Sequence, residues 1–263
     1  MSVQLRQQYG EELYQALQNG STLAPLTERW PQISIDDAYH ISLYSIQRRV
    51  EDGDRVVGKK IGVTSAAVQQ MLNVHQPDFG FITEQMSFAN DAQISLSANR
   101  LIQPRAEGEI AFILKHDLIG PGVTEADVLA ATDYVMPCFE IVDSRIHDWR
   151  IRIQDTVADN ASCGVFVLGD TQIDPRELDL PNLQMRVFKN DRLISEGMGS
   201  AVQGNPLTAV AWLANTLGAF GIPFKAGEII LSGSLVPLEP AAPGDRFSLT
   251  IDGLGSARVS FCA

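Results

Sequence analysis

Two glutamates at the start of a strongly apolar run place the tightest constraint on the fold. Glu107 and Glu109 stand one residue apart, directly before residues 110–114, all of which are apolar. A short run of this kind is typical of a buried strand, whose side chains point alternately to opposite faces. Arg105, Glu107 and Glu109 would then share one face, with successive Cα atoms about 6.6 Å apart. Because burying an unpaired carboxylate is costly, this strand needs either solvent on that face or a compensating cation.

A third carboxylate is isolated in a similar setting. Glu140 lies within residues 134–142, which are otherwise largely apolar and strand-like. If this strand neighbours the first, Glu107, Glu109 and Glu140 form a site for a divalent cation, because Mg²⁺ prefers oxygen ligands. The alternative is a solvated sheet face on which Arg105 pairs with Glu107, since exposed acids are the norm. The residues alone leave both interpretations open.

Lys60 is the next unusual residue, because glycines flank it on its own face of a predicted strand at residues 56–63. Glycine within a strand often marks close approach by a ligand or another backbone. A partly desolvated lysine near a metal is expected to have a lowered pKa and to exchange protons near neutral pH. The alternative is an ordinary surface lysine. Asp78 lies in a predicted tight turn, where it serves either turn formation or acid–base chemistry.

The charge balance and the missing motifs exclude several classes of function. The chain has 20 basic and 32 acidic residues, a formal charge of −12, which argues against nucleic acid and anionic membrane surfaces as partners. It contains no phosphate-binding loop motif, no HExxH and no GxSxG, and its four histidines lack zinc-ligand spacing. No apolar stretch approaches the roughly 20 residues that a membrane span needs.

Cysteine usage and the first residues favour a reducing cytoplasm. Cys138, Cys163 and Cys262 are odd in number and widely spaced, which predicts neither a disulfide framework nor a CxxC site. The first residues lack the basic start and apolar segment of a secretory signal. We therefore expect a cytoplasmic protein.

The hydrophobic patterning predicts an α+β chain in which a small helical cap precedes a strand-rich domain. Amphipathic spacing at residues 5–17 ends at Gly20, and Ser34 is placed to cap a second helix. From about residue 79, short apolar runs broken by Gly, Pro, Asn and Asp predict strands. We expect the cap and first strand over residues 1–78 and the strand-rich domain over residues 79–263.

Local signals predict four smaller elements within this framework. They are a hairpin around Asn190-Asp191, helices near residues 124–132 and at residues 206–217, and a short helix from Ser65 to about residue 72. The helix at residues 206–217 has the clearest limits, because Asn205 is a favourable cap, Pro206 suits the first turn and Gly218 favours an end.

The C-terminal part carries three motifs that resemble the fumarylacetoacetate hydrolase superfamily. They are Lys-Ala-Gly-Glu-Ile-Ile-Leu-Ser-Gly-Ser at residues 225–234, Pro-Gly-Asp-Arg-Phe at residues 243–247 and Gly-Leu-Gly-Ser at residues 253–256. That superfamily ends in a Gly-acid-apolar-Thr-Gly-Thr run, a Pro-Gly-Asp turn and a Gly-x-Gly turn, and Ser234 stands where many members have threonine. Its metal site uses a Glu-x-Glu pair and a later acidic residue, which Glu107, Glu109 and Glu140 match by position.

Longer stretches resemble the hydratases and decarboxylases of that superfamily, and with the tail they cover nearly the whole chain. They are GKKIGVTSAAVQQMLNVHQPDFG, LIQPRAEGEIAF, PCFEIVDSRIHDW and QDTVADNASCGVFVLG. The resemblance implies a mixed β-roll or barrel with a helical cap, a divalent metal (Mg²⁺ or Mn²⁺) and a ring-like homo-oligomer. It also implies hydro-lyase activity, the addition of water to 2-hydroxypenta-2,4-dienoate to give 4-hydroxy-2-oxopentanoate, in meta-cleavage degradation of aromatic compounds.

Four further residues are candidates for roles in this reaction, Ser234 among them by analogy with the superfamily threonine. Lys60 and Asp78 are candidates for proton transfer, and Arg105 and Ser234 are candidates for binding the small anionic substrate. Three alternatives stay open. The first is a 4-oxalocrotonate decarboxylase acting on 2-oxohex-3-enedioate, although the HQPDFG run resembles the hydratases. The second is a hydrolase that cleaves a carbon–carbon bond, for which His75 lacks a glutamate partner in sequence. The third is a catalytically silent scaffold for a pathway enzyme.

Overall fold

The N-terminal part of the chain forms three helices, as a computed structural model covering residues 1–66, 69–70 and 74–263 shows. They are α1 (Val3–Asn19), α2 (Leu26–Arg29) and α3 (Ile35–Glu51). The helix predicted at residues 5–17 is confirmed, and it ends at Gly20 in the left-handed conformation with φ 57°. Ser34 caps α3 through a capping box with Asp37. The four-residue α2 was not predicted, because so short a helix has no measurable periodicity.

Strands dominate the remainder of the described chain. They are β1 (Val56–Gly62), β2 (Asp78–Thr83), β3 (Ser87–Phe88), β4 (Ala92–Ser95), β5 (Arg105–Leu114), β6 (Thr132–Val142), β7 (Cys163–Leu168), β8 (Gln184–Lys189), β9 (Arg192–Met198), β10 (Ile229–Leu231), β11 (Glu239–Pro240), β12 (Arg246–Ile251) and β13 (Gly255–Cys262). The strand-rich α+β architecture expected from the sequence is therefore confirmed. The hairpin is confirmed as well, since β8 pairs with β9 around Asn190 and Asp191, both at positive φ.

Three more α-helices whose limits the structure describes lie among the strands: α4 (Glu125–Ala131), α5 (Ile153–Ala158) and α6 (Pro206–Gly218). Thr124 caps α4 and Asn205 caps α6, in agreement with the predicted helices. The six-residue α5 was not predicted, again because it is short. The predicted helix from Ser65 to about residue 72 includes residues 67, 68, 71 and 72, which lie outside the described residues.

The strands form an eight-stranded and a five-stranded sheet. The larger sheet has the order β2-β1-β10-β5-β6-β7-β3, with β11 also pairing with β5. The smaller sheet has the order β4-β13-β12-β8-β9. The boundary expected after residue 78 stays a prediction. In the structure β1 pairs with both β2 and β10 and so belongs to the larger sheet.

The two sheets pack against each other through one continuous hydrophobic core. It includes Phe112 and Phe139 of the larger sheet and Met185 and Leu249 of the smaller one. A Cβ atom at Gly108 would lie 2.4 Å from the Met185 sulfur, so a larger residue there would require the Met185 side chain to move. The inward face of β5 is thus filled by packing, and its glutamates must occupy the opposite face.

The helical cap has a core of its own and also contacts the larger sheet. Tyr9, Leu13 and Ile41 pack with Val157 of α5 in this cluster. Tyr39 of α3 stacks on Phe79 of β2 with ring centroids 4.2 Å apart. These contacts bring the cap against the strand that begins with Asp78. No helix in the described part of the chain is both long and apolar enough to span a membrane.

Candidate metal centre and active site

The pairing of β5 with β6 brings three glutamates together. The two strands are antiparallel neighbours, and Glu107 stands directly opposite Glu140 in their register. Glu109 is two residues further along β5 and therefore projects from the same face. One carboxylate oxygen from each of the three glutamates lies within 4.8 Å of the others. The neighbouring strands that the metal-site interpretation required are therefore present.

The solvated-face alternative for these glutamates is wrong. Glu109 and Glu140 are fully buried, and Glu107 is only partly exposed. Arg105 does not form an ion pair with Glu107 among the described residues. Its guanidinium instead lies over the Trp149 ring, 4.8 Å from the centroid. Because the Trp149 ring holds the guanidinium of Arg105, this arginine does not neutralise the glutamates on the same face of β5.

Lys60 and Asp78 lie on the same sheet face as the glutamates. Lys60 pairs with Leu231 of β10, which pairs in turn with Ala111 of β5, two residues from Glu109. Asp78 stands opposite Gly62 in β2. A Cβ atom at Gly62 would lie 2.3 Å from Asp78 Oδ1 and 3.3 Å from Lys60 Nζ. The glycine beside Lys60 therefore marks close approach, as predicted, and makes room for these two side chains.

Lys60 is buried among acids, which reverses one expectation from the sequence. Its Nζ lies 3.1 Å from Glu140 Oε1, with both side chains almost inaccessible to solvent. Burial alone would lower the pKa of Lys60, but the carboxylates of Glu140, Asp78 and Glu107 outweigh it and raise the pKa. In the metal-free protein the pKa of Lys60 is therefore shifted in the direction opposite to the one expected beside a metal, because the sequence did not reveal how many acids surround the ammonium group.

The acids themselves are poorly satisfied. Glu109 Oε1, Glu140 Oε2 and Asp78 Oδ1 are buried without a hydrogen-bond partner among the described residues, and Glu140 Oε1 has only the Lys60 ammonium group at 3.1 Å. Burial and the nearby Glu140 raise the pKa of Glu107 to about 8 and that of Glu109 well above its usual range. Burial raises the pKa of Asp78 to about 6, against the opposing charge of Lys60. The single ammonium group of Lys60 does not neutralise Asp78 and the three glutamates.

The donor set fits a hard divalent cation. Three carboxylates from adjacent strands, with buried oxygens that lack donors, match the oxygen ligands that Mg²⁺ and Mn²⁺ prefer. The partial exposure of Glu107 leaves one side of the cluster accessible. Glu107, Glu109 and Glu140 could therefore hold a metal while leaving positions for water or a ligand.

Ser234 is near this cluster but is already engaged with the backbone. Its hydroxyl donates to the Val236 carbonyl oxygen at 2.6 Å. The residue before it, Gly233, donates its backbone N–H to Glu109 Oε2 at 2.9 Å. Gly233 has φ 103°, and a Cβ atom there would lie 2.4 Å from Thr64 Cγ2. Sequence reasoning singled out Ser234 and missed Gly233, although a glycine between two serines after an apolar run was a usable signal.

Asn160 is a second residue that sequence reasoning missed. Its side-chain oxygen accepts a hydrogen bond from the Phe81 N–H at 2.8 Å, and its side-chain nitrogen donates to the Phe81 carbonyl oxygen at 2.9 Å. These two bonds fix the position of β2. Asn160, Ala161 and Ser162 all have positive φ, at 54°, 50° and 52°. Three successive non-glycine residues in this region are costly, and such strain is concentrated at functional sites. The signal was the VADNAS stretch.

Comparison with known proteins agrees with this geometry. A model of the family described as fumarylacetoacetate (FAA) hydrolase C-terminal matches residues 54–261. The chain is 64% identical over 252 residues to a 2-hydroxyhexa-2,4-dienoate hydratase from Comamonas testosteroni, covering 96% of each protein. It is 61% identical over 222 residues to a 2-hydroxypent-2,4-dienoate hydratase from Pseudomonas putida, covering 84% of this chain and 100% of the relative.

The solved structures include a similar fold with a bound metal. The 4-oxalocrotonate decarboxylase from Pseudomonas putida G7, complexed with magnesium and adipate, superposes with a TM-score of 0.96 at 34% identity. The match covers 99% of this chain and 98% of that one. With its sheets, its glutamate cluster and these relatives, the chain belongs to the fumarylacetoacetate hydrolase family.

Proposed function

We propose that this chain is a metal-dependent hydro-lyase that adds water to 2-hydroxypenta-2,4-dienoate and yields 4-hydroxy-2-oxopentanoate. The observation that carries the proposal is the cluster of Glu107, Glu109 and Glu140, which lies beside Lys60 and Asp78. Among the described residues, several buried carboxylate oxygens of this group lack a hydrogen-bond donor. The relatives at 64% and 61% identity, which are named as dienoate hydratases, support the same reaction class. The reaction belongs to the meta-cleavage degradation of aromatic compounds.

The three glutamates would hold a divalent ion, Mg²⁺ or Mn²⁺. When bound, such an ion supplies Lewis-acid stabilisation of negative charge at the C2 oxygen of the substrate. The combined negative charge of three carboxylates exceeds the positive charge of one divalent ion, so binding of an anionic substrate needs a further cation. Lys60 provides this cation at the cluster, because its ammonium form is favoured there. Arg105 on Trp149 and Ser234 remain candidates for contacting the substrate carboxylate.

The reaction requires two proton transfers to carbon. In the first step C5 gains a proton and the C2 hydroxyl loses one, which gives the 2-oxo-3-enoate. Water then adds, with its hydroxyl on C4 and a proton on C3, so that one water is consumed. Asp78 suits such transfers, because a carboxyl group with a pKa of about 6 populates both forms near neutral pH. Lys60 is the second candidate for proton transfer.

Hydration assays on metal-stripped protein test the proposal. The dialysed, EDTA-treated protein should lose turnover of the dienoate, and Mg²⁺ or Mn²⁺ should restore it. Glu107→Gln should abolish the metal-dependent rate, and Lys60→Ala should lower kcat by about 100-fold or more. Glu84→Gln is a matched control, since that side chain is 61% exposed and away from the cluster. Full activity without metal would disprove the metal role, and normal turnover in Lys60→Ala would disprove the role of the lysine.

The similarity to a solved decarboxylase structure, with a TM-score of 0.96, supports a second candidate function. A decarboxylase would release CO₂ from 2-oxohex-3-enedioate, whereas a hydratase would not. Supplying both substrates to the same preparation, with CO₂ and 4-hydroxy-2-oxopentanoate measured, separates the two. No turnover of either, with Mg²⁺ or Mn²⁺ present, would favour a silent scaffold for a pathway enzyme.

On the family resemblance we also propose a ring-like homo-oligomer located in the cytoplasm. The three cysteines are free, which is compatible with a reducing compartment. Light scattering coupled to size-exclusion chromatography would give the subunit number, and a monomer would contradict the proposal.

A further inference from the structure

A cavity of about 360 Å³ adjoins the candidate site at Asp78. It lies between the start of α3, the loop before β2 and α5. Its apolar walls are Ile35, Tyr39, Val74, Ile153 and Val157. Its volume falls within the range typical of small-molecule pockets. It is also many times the roughly 30 Å³ that a group the size of water or methyl occupies.

The charge of the cavity wall is as informative as its size. Asp78 is an acid in this wall, and none of the lining residues that the structure describes is a lysine or an arginine. His75 and Gln76 also border the cavity, and both are exposed to solvent. A carboxylate entering this space would lose its water beside Asp78 without gaining a buried cation. An alkyl group would instead gain apolar contacts.

Asp78 is the residue that borders both this cavity and the group formed by Lys60 and the glutamates. Its Oδ1 and Lys60 Nζ both lie against the space left by Gly62, on the face that carries the glutamates. Because Asp78 borders both, a ligand whose carboxylate and C2 oxygen lie at the cluster and Lys60 would have its far end directed towards Asp78 and the cavity. In a pentadienoate the atom at that end is C5.

We propose that this cavity receives the end of the dienoate remote from its carboxylate, and that it selects C5-alkyl dienoates over substrates with a second carboxylate. The inference rests on the proposed hydratase function for its orientation of the substrate. It assigns specificity to Ile35, Val74 and the α5 residues Ile153 and Val157. The relative that is 64% identical is named for 2-hydroxyhexa-2,4-dienoate, which carries an additional methyl group at this end.

Resizing the cavity at Ile35 tests this assignment. Values of kcat/KM are measured for 2-hydroxypenta-, 2-hydroxyhexa- and 2-hydroxyhepta-2,4-dienoate and for 2-hydroxyhexa-2,4-dienedioate. Ile35→Phe should lower the ratio of the heptadienoate value to the pentadienoate value about tenfold or more, and Ile35→Ala should raise it. Val50→Phe is the matched control, because Val50 is 46% exposed on the same helix, and it should leave the ratio unchanged.

A binding series gives a readout that does not depend on turnover. With Mg²⁺ present, calorimetry compares 2-oxopentanoate, 2-oxohexanoate and 2-oxoadipate. The unmodified protein should bind 2-oxohexanoate at least tenfold more tightly than 2-oxoadipate, and Ile35→Phe should remove the gain from 2-oxopentanoate to 2-oxohexanoate. Ile153→Ala, which enlarges the same cavity, keeps the test valid if Ile35→Phe does not fold, and should favour the longer acid.

The outcomes separate the two proposals. Tighter binding of the dicarboxylate, or chain-length ratios that no cavity variant changes, would overturn the cavity assignment while hydration of the pentadienoate still held. Absence of hydration with every dienoate would overturn the proposed function, and the 2-oxo acid series would still decide whether the cavity selects alkyl chains.

Discussion

Two groups of buried charge in this protein differ in how completely they are satisfied. Around Arg145, the guanidinium donates to Asp159 Oδ1 at 2.6 Å and to the carbonyl oxygens of Cys163 and Asp159. Asp143 accepts the backbone N–H groups of Ile102 and Gln103. In the glutamate cluster, one lysine faces three glutamates and Asp78, and among the described residues three buried carboxylate oxygens lack a donor.

The difference distinguishes structural from functional burial of charge. A buried ion pair with all its hydrogen bonds is complete without a ligand, and breaking it is expensive. A buried group with surplus charge and unsatisfied oxygens is costly until something binds. The Arg145 network is therefore expected to matter for stability, and the glutamate cluster for activity. Three predictions test this contrast, and they are ordered by the size of the expected effect.

The largest effect is expected at Glu109. Glu109→Gln should lower metal-dependent hydration about 1,000-fold or more, because Lewis-acid stabilisation is worth several kcal/mol. In metal-free protein the same change should not lower the free energy of unfolding, since it replaces a buried ionisable carboxyl group beside Glu140 with a neutral amide. Turnover assays and denaturant unfolding measure the two quantities. If Glu109→Gln strongly lowered stability and retained activity, the glutamate cluster would be structural, which would contradict the prediction.

The next effect is expected in the Arg145 network. Asp159→Asn leaves a buried guanidinium without its partner and should lower the free energy of unfolding by about 3–5 kcal/mol. The affinity of the folded protein for Mg²⁺ should stay unchanged. Asp191→Asn is the control, because its side chain is 87% exposed and pairs with Arg246 only at the surface, where such pairs contribute little. Unchanged stability in Asp159→Asn would show that the network is not structural.

The smallest effect is expected from a change of one pH unit. The pKa of Glu107 is raised in the folded protein to about 8 from its usual 4.5, so the folded state binds the extra proton between those values. The stability of metal-free protein should therefore fall as pH rises through this window, by at most about 1.4 kcal/mol per pH unit for each proton. Saturating Mg²⁺ should flatten the dependence, because a metal replaces the protons. An equal slope with and without Mg²⁺, in denaturant titrations, would contradict the prediction.

Much of the local structure followed from short-range signals. The end of α1 at Gly20, the capping box of Ser34 and the Asn190-Asp191 hairpin depend on residues adjacent in sequence. The shared face of Glu107 and Glu109 follows from the two-residue period of a strand. The short helices α2 and α5 escaped prediction because they span less than two turns and leave no periodic pattern.

The environment of the site depended on long-range pairing. Residue patterns marked Lys60, Glu107, Glu109 and Glu140 as unusual, and the family motifs assigned the three glutamates to a metal site. The register of β1, β10, β5 and β6 then set which of these groups meet. The raised pKa of Lys60, the stacking of Arg105 on Trp149 and the role of Gly233 all arise from contacts between residues distant in sequence.

The amino-acid sequence was sufficient to predict the family, the strand-rich architecture and the identity of the acids, because these follow from local periodicity and contiguous motifs. The three-dimensional packing was needed for the charge state of Lys60, the unsatisfied oxygens and the apolar cavity beside Asp78. The physical reason is that burial and Coulomb interactions depend on every neighbour within a few ångströms. Strand pairing brings the charged neighbours together from separate segments of the chain, and the packing of α3 and α5 beside β2 forms the cavity.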